Sequence, residues 1–117
     1  YYPFFTGYAD ERGNGPGEGF NLNLPLAHGA GGAAMETAVA EAGKAIRDFG
    51  AEVVVIALGY DAHKDDPIVV LKLEASDFGT IGRQVKGFGL PTLVVQEGGY
   101  AIEAIGDCLD AFLGGFK

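Results

Sequence analysis

The chain has 117 residues, a formal net charge of −8 and 48% hydrophobic residues, which suffices for one domain with a buried core. The negative charge argues against nucleic acid and anionic lipid as partners, because both attract proteins through Lys and Arg. No apolar run is long enough for a membrane span, and a single cysteine, Cys108, with two histidines excludes an internal disulfide and a Cys₂His₂ zinc site.

The first 19 residues predict a loop, because glycines occur at positions 13, 15, 17 and 19 and break any helix or strand pattern. No basic segment followed by an apolar stretch marks a secretory signal. Together with the lone cysteine, this favours a cytoplasmic location. The chain starts on aromatic residues without a Met, so we expect it to be the later part of a longer polypeptide.

A short strand and a helix are predicted next. The segment FNLNLPL, residues 20–26, alternates apolar and polar side chains, which is typical of a strand with one polar face. Apolar residues then recur every three or four positions from Met35 to Phe49. This spacing predicts an amphipathic helix over residues 33–48 that Gly50 ends.

The remaining sequence alternates between strands and helices. Residues 53–58 are apolar at every position, as in a central parallel strand covered by helices on both faces. Ser76 is predicted to cap a helix whose apolar side runs through 78–85. A second buried strand at 91–96 and a closing helix at 102–113 follow. This order predicts a parallel sheet with right-handed crossovers in a three-layer α/β/α fold.

Two polar residues follow the two buried strands, at the sheet edge where parallel α/β folds place their ligands. Asp61 comes after the first strand; its short carboxylate suits a metal ion, and it equally suits an ordinary Asx-turn. Tyr100 follows the second strand after Gly98 and Gly99, which permit a tight turn. Its phenol could donate a hydrogen bond into the same crevice, or its ring could simply cover the start of the last helix.

Four segments resemble one family. They are FFTG at 4–7, GEGFNLNLPL at 17–26, LGYDAHKDDP at 58–67 and LVVQEGGY at 93–100. In this order they resemble the last part of the zinc-dependent histone deacetylases of class II type and the acetylpolyamine amidohydrolases. The resemblance implies a partial domain of arginase/deacetylase-like fold, and EGGY is closer to the polyamine-type members.

The resemblance also implies roles for individual residues. Asp61 corresponds to a Zn²⁺ ligand and Tyr100 to the hydroxyl that binds the developing oxyanion, with Gly98 and Gly99 forming the turn that supports it. Phe5 and Ile68 correspond to walls of a narrow tunnel for the substrate, an acylated lysine or acylated amine. The backbone carbonyl of Phe20 corresponds to a ligand of a structural monovalent cation.

Other polar residues have ordinary interpretations. His63 stands two residues after Asp61, where its side chain is expected to point away from a shared metal, and Asp65 and Asp66 are expected to shape the turn before Pro67. His28 is expected to be solvated, and Cys108 to be a small core residue.

The chain lacks part of the catalytic set that the resemblance implies. Catalytic zinc needs three protein ligands, and the family takes two of them from an Asp-x-His segment and its base from adjacent histidines, all upstream of FFTG. We therefore expect a C-terminal part, residues 1–117, of a deacetylase catalytic domain that is inactive alone and self-associates as a homo-oligomer through uncovered apolar surface. The alternative is a non-catalytic α/β module that binds a partner or a small ligand.

Overall fold

The computed structural model describes residues 4–117. A long loop with one short 3₁₀ turn at Gly15–Gly17 leads into alternating helices and strands. These elements are α1 (Gly32–Phe49), β1 (Val54–Leu58), α2 (Ala75–Lys86), β2 (Thr92–Gln96) and α3 (Ile102–Phe116). None of the three helices in this range combines the length and the apolar character that a membrane crossing requires.

The two strands pair in parallel, as predicted, with Val54 opposite Thr92 and Leu58 opposite Gln96. The strand predicted at residues 20–26 is wrong, because the described residues supply no neighbouring strand for it. Its polar side chains instead bind the preceding loop. The side-chain amides of Asn21 and Asn23 donate to the carbonyls of Glu11 and Tyr8, at 2.7 and 2.9 Å.

All three helices contribute to one core on one face of the sheet. Leu58 of β1, Phe78 of α2 and Phe112 of α3 are buried together, and Met35 of α1 and Val94 of β2 pack against them. Burying a large apolar side chain stabilises a fold by about 2 kcal/mol. This shared core fixes β1 and β2, and therefore the loops that follow them, relative to the helices.

The opposite face of the sheet is apolar and exposed. Val53, Val55, Leu93 and Val95 are 58, 63, 57 and 44% exposed. Within the strands, Val55, Leu93 and Val95 alternate with less exposed positions. The fully apolar strand pattern predicted helices on both faces, whereas the described residues cover only one. The parallel sheet with helices is confirmed as part of a domain, and residues 4–117 supply no second helical layer for the predicted three-layer fold. Self-association through this face stays a prediction.

Glycines allow helices α2 and α3 to pack closely. A methyl group on Gly82 would collide with the carbonyl oxygen of Phe112, and one on Gly115 with the carbonyl oxygen of Gly79. These glycines lower helix propensity, and the close contact with α3 explains their presence. Ser76 is not the cap that we predicted: α2 begins one residue earlier, and the carboxylate of Asp77 accepts the backbone N–H of Glu74 at 2.8 Å.

Candidate active site

The loops that follow β1 and β2 begin side by side. The backbone N–H of Tyr60 donates to the carbonyl of Gly98 at 2.7 Å, and that of Glu97 donates to Leu58 at 2.8 Å. The parallel pairing thus continues past both strand ends. As predicted, the loop that carries Asp61 and the loop that carries Tyr100 leave the same edge of the sheet.

The side chain of Asp61 lies between two glycines. A methyl group placed on Gly59 would come within 2.6 Å of its Oδ1 atom, and one on Gly98 within 2.8 Å of its Oδ2 atom. Real carbon atoms do not approach oxygen so closely, so only glycine leaves room for the carboxylate at both positions. Gly99 adds the tight turn, with a φ of 144° that side-chain-bearing residues rarely adopt.

The carboxylate of Asp61 faces a cavity and has no protein partner. No hydrogen bond or ion pair reaches it from any other residue between 4 and 117. The cavity has a volume of about 610 Å³, and its other lining residues are Phe4, Ala62, Ile68, Val69, Val70 and Leu71. The site therefore offers two unused carboxylate oxygens beside mostly apolar walls, a suitable arrangement for holding a cation.

Asp66 behaves differently, although it belongs to the same loop. Its side chain is 4% exposed, and its Oδ1 atom accepts the backbone N–H of Ile68 at 3.1 Å, which is the turn contact that we expected. Its Oδ2 atom accepts two further N–H groups from the other loop, those of Tyr100 at 2.7 Å and Ala101 at 3.2 Å. The sequence analysis missed this link. No local sequence pattern signals it, because Asp66 and the two residues it binds are 34 and 35 positions apart.

Tyr100 is held by its backbone, whereas its ring is 55% exposed. The ring is not among the described groups that line the cavity beside Asp61. Of the two residues predicted to form a tunnel, Ile68 lines this cavity. Phe5 is 87% exposed, and its neighbour Phe4 takes the place at the cavity wall.

Tyr60 anchors the start of the Asp61 loop. Its side chain is 2% exposed, and its ring lies 5.6 Å from that of Phe78. Burial raises the pKa of this phenol, and the nearby Cys108 raises it further. Tyr60 is therefore a neutral core residue, and the same holds for Cys108, whose pKa is raised by burial and by Asp107.

The remaining residues considered in the sequence analysis are the two histidines and Phe20. His63 is 5% exposed, and its Nδ1 atom accepts the backbone N–H of Asp65 at 3.3 Å. His28 is exposed, as expected, and the ring of Phe20 contacts that of Phe49 edge-on at 5.8 Å. Within the described part of the chain, no three His, Cys, Asp or Glu side chains converge to hold a metal ion.

Comparison with known proteins gives a consistent result. A sequence profile of the histone deacetylase domain matches residues 1–116. The chain is 49% identical over 105 residues to acetylpolyamine amidohydrolase 1 of Pseudomonas aeruginosa, covering 90% of this chain and 30% of that protein. It is 40% identical over 116 residues to the acetylpolyamine amidohydrolase of Burkholderia pseudomallei, covering 99% of this chain and 34% of that protein.

Solved structures agree with these relatives. A crystal structure of acetylpolyamine aminohydrolase from Burkholderia pseudomallei superposes with a TM-score of 0.94 at 40% identity, covering 99% of this chain and 34% of that one. A histone deacetylase homologue complexed with SAHA gives a TM-score of 0.85 at 27% identity, covering 94% and 30%. The chain thus spans about a third of the length of the proteins it matches.

Proposed function

This chain belongs to the histone deacetylase domain family, and on that premise we propose that it forms the C-terminal third of a zinc-dependent amidohydrolase domain. Within that domain it supplies one metal ligand, Asp61, and one oxyanion donor, Tyr100. The substrate is an acylated amine, of the acetylpolyamine or acetyl-lysine type. The observation that carries the proposal is the carboxylate of Asp61, which has no partner among residues 4–117 and faces a cavity beside the Tyr100 loop.

The donor chemistry of Asp61 fits a zinc ligand. Carboxylate oxygen is an ordinary ligand of catalytic zinc, which takes three protein ligands and keeps one position open. Because no group of three donors exists within residues 4–117, the other two ligands come from the remaining part of the domain. Bound zinc supplies a Lewis acid that polarises the amide carbonyl and activates water.

Tyr100 acts on the charge that develops during amide hydrolysis. A phenol O–H placed at the carbonyl oxygen donates a hydrogen bond that strengthens as the oxygen becomes negative. The ring is 55% exposed, so substrate can reach it. Phe4 and Ile68 offer apolar walls on the Asp61 side, and we include Phe5 as a further wall of the substrate tunnel. A net charge of −8 attracts a cationic polyamine.

The test uses a hybrid enzyme, in which this chain replaces the matching third of the Burkholderia pseudomallei acetylpolyamine amidohydrolase. The 40% identity over 116 residues and the TM-score of 0.94 make this exchange practical. Turnover of an acetylpolyamine and of an acetyl-lysine peptide is measured with one equivalent of zinc. We expect activity in the hybrid and none in the 117-residue chain alone.

Two variants of the hybrid decide which residues act. Asp61→Ala should lose zinc and activity together, and Tyr100→Phe should keep zinc while kcat falls about 100-fold, the usual cost of one oxyanion donor. Asp65→Ala serves as the matched control, because its carboxylate is 67% exposed in the same loop. A folded, zinc-loaded hybrid that turns over neither substrate would overturn the proposal.

The alternative, a non-catalytic α/β module, has one observation in its favour. One face of the sheet is apolar and exposed within residues 4–117, as a partner-binding surface would be. Metal content separates the two functions. A folded hybrid that binds no zinc under saturating conditions would favour the module.

A further inference from the structure

We propose that Asp66 is the positioning residue that holds Tyr100 in place for the reaction. The inference rests on the proposed function of Tyr100 and adds a residue to it. We do not expect Asp66 to touch the substrate. It acts through the backbone of the loop that carries the phenol.

The Asp66 carboxylate binds two different loops. Its Oδ1 atom binds its own loop through Ile68, and its Oδ2 atom binds the other loop through Tyr100 at 2.7 Å and Ala101 at 3.2 Å. A simple turn would need only the first contact. The two further bonds span 34 and 35 residues of sequence, so one side chain ties the loop after β1 to the loop after β2.

Burial makes these bonds strong. Asp66 is 4% exposed, and a buried carboxylate bound by backbone N–H groups forms charge-assisted hydrogen bonds about twice as strong as neutral ones. Ala101 is also the residue that precedes helix α3. The negative charge therefore lies at the helix start, where it is further stabilised by the unpaired N–H groups.

The Tyr100 side chain has little else to fix it. Its ring is 55% exposed, and another hydrogen bond to its loop is made two residues earlier, where the Gly98 carbonyl accepts the N–H of Tyr60 at 2.7 Å. An oxyanion donor must lie within a few tenths of an ångström of its working position. The contact from Asp66 is made to the backbone N–H of Tyr100 itself, so it can set this position.

The same carboxylate also connects the phenol to the cavity. Ile68, whose N–H binds Asp66, lines the cavity beside Asp61. A shift of Asp66 would therefore move a wall of the site and the Tyr100 backbone together. Three of the roughly four acceptor sites of the Asp66 carboxylate are taken by backbone N–H groups, as expected for a residue that positions the backbone.

A double-mutant cycle in the hybrid enzyme tests the proposal. Asp66→Asn is made with Tyr100 intact and again in the Tyr100→Phe background, because asparagine keeps the shape but cannot accept all three N–H groups at full strength. If Asp66 acts through the phenol, Asp66→Asn should lower kcat about 10-fold or more with Tyr100 present and less than about 2-fold with Phe at that position. Zinc content and KM should change little.

Controls separate this role from stability alone. Asp65→Asn removes a neighbouring charge from an exposed carboxylate and should leave kcat unchanged. Asp66→Glu keeps the charge but lengthens the side chain; should Asp66→Asn not fold, the same cycle with Asp66→Glu decides. Equal losses of kcat in both backgrounds, or failure of both variants to fold, would make Asp66 a purely structural residue and overturn the inference. If Tyr100→Phe itself has no effect, the proposed function fails instead.

Discussion

The loop after β1 contains Asp61 and Asp66, five positions apart, and their carboxylates behave in opposite ways. At Asp66 both carboxylate oxygens are engaged by three backbone N–H groups, and the side chain is 4% exposed. At Asp61 the carboxylate has no partner within the described residues and faces a cavity. The loop thus uses one carboxylate to build the site and leaves the other available for a ligand.

The contrast explains how an unpaired carboxylate can be held still. Gly59 and Gly98 leave the space that the Asp61 carboxylate occupies, because a methyl group at either position would collide with it, and the buried ring of Tyr60 anchors the residue before it. Its position follows from shape, whereas that of Asp66 follows from hydrogen bonds. Each of these two ways of holding a carboxylate can be removed by a single substitution.

Removal of the Asp66 carboxylate should have the largest effect on stability. Asp66→Ala leaves the N–H groups of Tyr100, Ala101 and Ile68 without their acceptor, and unsatisfied buried groups cost about 1–3 kcal/mol each, so a total of about 4 kcal/mol is expected. Thermal unfolding of the hybrid enzyme measures it. Asp65→Ala should change stability by less than about 0.5 kcal/mol. Equal losses of stability in Asp66→Ala and Asp65→Ala would show that the Asp66 hydrogen bonds do not support the fold.

Removal of the Asp61 carboxylate should cost metal affinity instead. If Asp61 is the zinc ligand that we propose, Asp61→Ala should lower zinc affinity by at least the roughly 100-fold, or about 3 kcal/mol, that loss of an outer-shell partner can cost. Stability of the metal-free hybrid should change by less than about 1 kcal/mol, because the carboxylate makes no protein hydrogen bond. Competition with a chelator measures zinc affinity. A large loss of metal-free stability would show that Asp61 supports the fold as Asp66 does.

The sequence predicted Asp61, which is available for a ligand, better than Asp66, which supports the site. Asp61 follows a recognisable buried strand, and the helix over 33–48, the stop at Gly50 and the parallel strands all follow from apolar spacing. The bonds from Asp66 to Tyr100 and Ala101 join residues 34 and 35 positions apart. Local patterns do not contain such a contact, which arises only when the two strands pair.

The errors in the predicted elements also arise because local sequence patterns do not contain long-range contacts. Residues 20–26 alternate as a strand should, but a strand needs a neighbour to bond with, and the described chain provides none. Ser76 is a good cap by residue type, yet the Asp77 carboxylate closes the helix start at Glu74. Val55 and Leu93 are a third difference, because the apolar strand pattern predicted cover on both faces of the sheet, whereas the described residues leave these two side chains exposed.

A single methyl group should test the confinement of Asp61. Gly98→Ala places carbon 2.8 Å from the Asp61 Oδ2 atom, so the carboxylate must move, and we expect zinc affinity of the hybrid to fall about 10-fold. Gly106→Ala is the matched control, because a methyl group there meets nothing within 4 Å, and alanine in a helix should stabilise it by up to about 1 kcal/mol. Unchanged zinc affinity in Gly98→Ala would show that shape does not hold Asp61.

Alkaline pH should lower stability by destabilising the core that supports the start of the Asp61 loop. Burial raises the pKa of Tyr60, with Cys108 adding to it, and burial raises the pKa of Cys108, with Asp107 adding to it. Both groups ionise more readily when unfolded, so their contribution to stability is complete below the unfolded thiol value of about 8.5 and is lost as the pH rises through the folded values. Urea midpoints of the 117-residue chain should therefore fall between pH 8 and pH 11. Tyr60→Phe should flatten the upper part of that fall and Cys108→Ala the lower part, whereas a profile unchanged in both variants would mean that these side chains do not couple the loop to the core.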